Sequence, residues 1–130
     1  MPMSRNDNDV ATTEPMSTDS IFVYTTVADE LSATDLGDLI VAEGLAACVQ
    51  IVPGIRSIYR WKGEVKHDNE VRLVIKTTIA RFEAIAALLR EHHPYELPEI
   101  VAVPVVLGSK GYLAWIASST AGEAGAWGLQ

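Results

Sequence analysis

Between residues 20 and 116 the spacing of apolar residues alternates between the two-residue repeat of a strand and the longer repeat of a helix. The order of those switches restricts the fold more than any single motif does. SIFVYTT (20–26), β-branched and aromatic, reads as a strand. Ser32 with Asp35 three residues on has the form of a capping box; Leu36, Leu39 and Ile40 then share a helical face, and Gly44 is a natural stop. CVQIV (48–52) opens a second strand, bent or bulged at Pro53-Gly54 and resumed as IRSIYRW (55–61). KGEVKHDN (62–69) reads as a polar turn region and EVRLVIKTT (70–78) as the returning strand of a hairpin.

Thr78 is placed to cap a second helix with an apolar stripe of Ile79, Phe82, Ile85, Ala86 and Leu89. That helix must end near His92, because the residue before Pro94 is pushed out of the α region. EIVAVPVVLG (99–108) reads as the last strand, with Pro104 marking it as an edge or irregularly paired. Ser109 then caps a short helix with Tyr112, Trp115 and Ile116 facing inward.

The order β-α-β-β-α-β plus a short C-terminal helix predicts an α+β chain: a ferredoxin-like sandwich, one antiparallel sheet with both main helices on one face. Val71, Leu73 and Ile75 alternate toward the helices, leaving Arg72, Val74 and Lys76 on the other face. No main helix remains to cover that face, so its apolar residues predict that another subunit does.

With 130 residues the chain holds one domain, expected over 20–119. Residues 1–19, with Arg5 against Asp7, Asp9, Glu14 and Asp19, read as a disordered tail. Residues 120–130 read as a second tail, interrupted by Trp127. A formal net charge of −7 argues against partnership with nucleic acid or an anionic membrane. The first residues lack an apolar signal region, and the expected location is cytoplasmic. The single Cys48 rules out an internal disulfide and a Cys-rich zinc site.

His92-His93 is the most conspicuous pair. Neighbours on a regular helix point about 100° apart, so convergence on a metal requires the break at Pro94. Imidazoles suit copper, nickel or zinc; equally, a histidine in a last helical turn complements the free carbonyls there. Cys48 in an apolar run reads as a small core residue, and His67 as an exposed turn residue. Lys76 either snorkels from a half-buried face or meets an anionic ligand. Tyr59, Trp61 and Tyr95 are pocket-wall or packing residues. No phosphate loop, nucleophile elbow or zinc-protease motif occurs, and the chain reads as non-enzymatic.

LAACVQIVPGIRSIYRWKGEV, VIKTT, HHPYELPEIVAVPV and YLAWI, in that order, closely resemble the CutA family of divalent-cation tolerance proteins, over about Ile21 to Ser118. The resemblance implies a ferredoxin-like subunit in a tight homotrimer, similar to the PII signalling proteins, and a link to copper and other divalent cations. It maps the family's histidine pair onto His92 and His93, and its cysteine after Leu-Ala-Ala onto Cys48. Some members carry a further cysteine where this chain has Thr25, and losing that thiolate removes a soft ligand for Cu(I). Tyr59, Trp61, Lys76, Tyr95 and Glu99 fall at pocket positions expected between subunits. Three readings follow: a copper(II)-type divalent-ion binder, a PII-like small-molecule sensor with clefts between subunits, or a structural trimeric scaffold.

Overall fold

A computed structural model describes residues 19–122. The expected tails, with Trp127, lie almost entirely outside that range. Four strands, β1 (Ser20–Val27), β2 (Cys48–Trp61), β3 (Glu64–Thr78) and β4 (Val101–Pro104), form one sheet in the order β2-β3-β1-β4, every pair antiparallel. Helices α1 (Glu30–Ala42) and α2 (Phe82–His92) lie in the two crossovers, and α3 (Lys110–Ser119) follows the last strand. This is the expected ferredoxin-like connectivity. None of the described helices is long and apolar enough to cross a membrane.

Alternation along the central strands builds the core. Val23 and Val27 of β1 and Val71, Leu73 and Ile75 of β3 point to one face, where Leu36 and Ile40 of α1 and Ile85 and Leu89 of α2 close over them. Each of these fully buried aliphatic side chains contributes about 1.5–3 kcal/mol. Gly37 lets α1 approach β2, since a Cβ there would stand 3.3 Å from Val49.

α1 begins earlier than the Ser32–Asp35 box implies. Asp29 is the N-cap, its carboxylate accepting the Ser32 N–H at 2.7 Å and the Ser32 hydroxyl at 3.2 Å. These bonds hold the Asp29 carboxyl below its ordinary pKa, the Ser32 backbone bond contributing most. Ser32 is thus the partner of the cap and not the cap itself. The helix closes as expected at Gly44, which adopts φ 71 while Leu45 N–H reaches Ile40 O and Gly44 N–H reaches Val41 O, a Schellman motif.

The hairpin corrects the sequence reading most. Its turn is only Lys62-Gly63, with φ 50 and 82, and the polar stretch from Glu64 onward is strand. Positive φ at both central residues matches strand twist, so this tight turn lets pairing continue to Trp61↔Glu64. β1 pairs with β3 only from Val71 to Thr78, so the distal hairpin projects as an arm exposed on both faces. Polar residues suit that arm because it has no core face. The register shift between Val52 and Ile55 confirms the bulge at Pro53-Gly54, with Gly54 at φ 79.

Thr78 makes no side-chain cap; a 3₁₀ turn over Ile79–Arg81 intervenes, and Ile79 is swung out of the stripe to 59 % exposure. β4 is shorter than 99–108 and lies at the sheet edge, with Pro104 opposite Ile21. Ser109 caps α3 by accepting the Tyr112 N–H, while Leu113 and Ile116 are the buried residues and Tyr112 and Trp115 are half-buried. The second face of the sheet is not wholly open: Tyr112 of α3 meets the ammonium of Lys76, which also faces the Phe22 ring, at one end of it. Val52, Val101 and Val103 remain exposed on that face.

Candidate functional site

The segment after α2 organises one end of the molecule. Pro94 forces His93 out of the helix into an extended conformation, and its imidazole turns inward to 8 % exposure. His93 Nδ1 accepts the Tyr95 N–H at 3.1 Å, so the proton sits on Nε2, which donates to Thr26 O at 2.8 Å. Burial holds His93 below its ordinary pKa, against the opposing effects of the Thr26 bond and the Glu70 charge. The ring also meets Tyr95 edge-on at 4.8 Å. His93 therefore ties the end of α2 to the end of β1.

His92 faces the other way. It is exposed on α2, 3.9 Å from Glu91, and lines a shallow recess with Asp35 and Pro94. The adjacent histidines thus diverge, and both ring nitrogens of His93 are already used. Thr25 is fully buried on the helix side of β1, its hydroxyl without a partner; Cys48 lies opposite Lys76 on the other sheet face. The structure does not bring His92, His93, Thr25 and Cys48 together. Among the described residues no group of three or more His, Cys, Asp or Glu side chains is disposed to hold a metal ion. Exposed His67 lies within β3 on the arm, not in the turn.

The geometry instead gathers the expected pocket residues. Tyr59, Trp61, Tyr95 and Glu99 line one cleft of about 840 Å³ where the arm leaves the sheet. Lys76 does not belong to it: its ammonium is buried by α3, donating to the Tyr112 hydroxyl at 3.0 Å and lying 5.3 Å from the Phe22 and Tyr112 rings. It neither snorkels to solvent nor faces the cleft, but is held under an aromatic cover.

Inside the cleft, Glu70 accepts the Ser57 hydroxyl at 2.5 Å and the Tyr95 hydroxyl at 2.9 Å, while Asp68 accepts the Tyr59 hydroxyl. Both phenols are raised above their ordinary pKa: Tyr95 by burial first and then Glu70, Tyr59 by its bond to Asp68 first. Asp68, Glu70 and Ser57 were missed by sequence reasoning. Had Lys62-Gly63 been recognised as a two-residue turn, its register would have placed Ser57 opposite Asp68 and Ile55 opposite Glu70.

The model of the CutA1 divalent ion tolerance protein family matches residues 21–119. A divalent-cation tolerance protein CutA of Shigella flexneri is 40 % identical over 103 residues, which is 79 % of this chain and 92 % of the relative. A divalent cation tolerance protein of Thermus thermophilus superposes with a TM-score of 0.76 at 44 % identity, covering 78 % of this chain and 98 % of its own. A CutA1 of Oryza sativa gives 0.76 at 42 %, covering 79 % and 94 %.

Proposed function

Because the chain belongs to the CutA1 divalent ion tolerance protein family, whose members are non-enzymatic, we propose that it serves divalent-cation tolerance as a homotrimer that takes up copper(II) or a similar ion through His92. The observation that carries the metal reading is the exposure of His92 beside Glu91, with Asp35 lining the same recess. Imidazole with carboxylate oxygens suits Cu(II) better than Cu(I). His93 does not fit as a ligand while Thr26 and Tyr95 occupy its nitrogens, and Thr25 and Cys48 lie elsewhere. The trimer draws support from the exposed apolar residues of the second sheet face and of the arm. The proposal places the protein in the cytoplasm; fractionation separates that from the periplasmic location named for the relative from Archaeoglobus fulgidus.

Calorimetric titration with copper(II) tests it. Wild-type protein is expected to bind the ion weakly and His92→Ala to lose that binding, while a folded His93→Gln variant retains it. Copper binding indifferent to His92 would refute the assignment.

A second reading is favoured by a separate observation, the meeting of Tyr59, Trp61, Tyr95 and Glu99 around one cleft. Aromatic walls with a few converging polar groups are the usual make-up of a small-molecule site. In this reading the chain is a sensor whose ligand orders the arm.

A further inference from the structure

Every charged side chain that this chain contributes to the cleft is acidic. Asp68, Glu70, Glu96 and Glu99 line it, and among the described residues no Lys, Arg or His does. Tyr59, Trp61 and Tyr95 add aromatic ring faces to it. A phosphate or dicarboxylate would meet like charge there, which costs affinity. A cation would meet carboxylates and ring faces together, and both attract it.

The chain already shows what this surface does to an ammonium group. Lys62, at the tip of the arm, places its Nζ 5.7 Å from the centre of the Trp61 ring and 3.9 Å from a Glu96 oxygen. Its side chain stays 73 % exposed, so the contact is loose and open to replacement. The raised pKa values of Tyr59 and Tyr95, to which Asp68 and Glu70 both contribute, report the same negative field from inside the cleft.

A bare divalent ion fits less well. It needs several oxygens closing on one point, whereas Asp68 and Glu70 are each drawn to hydroxyl donors and, among the described residues, no three acidic groups converge. At about 840 Å³ the cleft is also far larger than an ion. An organic cation spreads its N–H donors or its alkylated charge over such a space.

We propose that this cleft binds an organic cation of the alkylammonium or polyamine class, held between the rings of Trp61 and Tyr95 and the carboxylates of Glu70 and Glu99. The proposal rests on the reading of the cleft as a ligand site and names the ligand's chemistry. Lys62 acts as a weak internal competitor at its rim.

Calorimetry on the full chain tests it, with spermidine and tetramethylammonium as cationic probes, ADP and inorganic phosphate as anionic ones, and copper(II) as the bare ion. A cationic probe is expected to bind, more weakly at high salt. Trp61→Leu and Glu99→Gln are each expected to weaken it about tenfold; Glu99→Gln spares the Ser57–Glu70–Tyr95 bonds and so guards against mere misfolding. Lys62→Asn, a residue suited to positive φ, is expected to bind the probe more tightly, which a structural role for the cleft would not produce. ADP or phosphate binding that is lost in Trp61→Leu would keep the ligand site and overturn its class, as would copper(II) binding lost in the same variants. No probe bound, or cations bound equally by all variants, would overturn the ligand site itself.

Discussion

At the residue scale the histidine pair shows where sequence stops informing. Pro94 announces the end of α2, and the end falls where expected. Which imidazole turns inward depends on Thr26 O, 67 residues away in the chain, and no local pattern records that. The inward ring gives a pH signature. His93 has a folded pKa below the 6.5 of a free histidine, so the unfolded chain binds the extra proton first. Its stabilising contribution is complete above about pH 6.5 and is lost as pH falls toward the folded pKa. Thermal melts from pH 7.5 downward should show a fall in Tm that is smaller in His93→Gln. Thr25 supplies the opposite kind of test: its buried hydroxyl has no partner, so Thr25→Val should raise stability by about 1 kcal/mol in urea denaturation.

Elements were legible where local chemistry and tertiary need agree. β1, the stop at Gly44, the bulge at Pro53-Gly54 and the cap at Ser109 all stand where the residues put them. The hairpin was misread because composition was taken for conformation: Lys66, His67, Asp68 and Asn69 look like a turn, but an arm wet on both faces needs no apolar alternation. The site followed from that error, since the acids of β3 reach Ser57 and Tyr59 only in a long hairpin. Gly63 at φ 82 fixes the register, so Gly63→Ala should cost about 1 kcal/mol or more and weaken any cleft ligand at once. Asp29→Ala should cost about 1 kcal/mol, measured the same way, with the cleft unaffected.

For the whole molecule the question is how the chain covers its apolar surface. Val52 at 38 %, Val101 at 48 % and Val103 at 38 % exposure lie on the sheet face that α3 leaves free, and Ile58 at 66 % and Val65 at 59 % on one side of the arm. The alternation of Arg72, Val74 and Lys76 foretold this face, but not that α3 would return to cover the end bearing Lys76. That fold-back depends on Tyr112 meeting a partner 36 residues earlier. Ile58→Glu in the exposed arm should shift sedimentation toward smaller species, and the wild-type Tm should rise with protein concentration.

β2 is the sheet's edge strand opposite β4, and at fourteen residues it is long for an edge. Pro53 is its only residue without a donor N–H. Surface charge that separated the subunits of the proposed trimer would therefore leave a strand side ready to recruit the next chain's backbone. A dissociated variant should end as laterally joined polymer and not as a stable single subunit, and assembly as the proposed trimer would then shield the long free edge of β2.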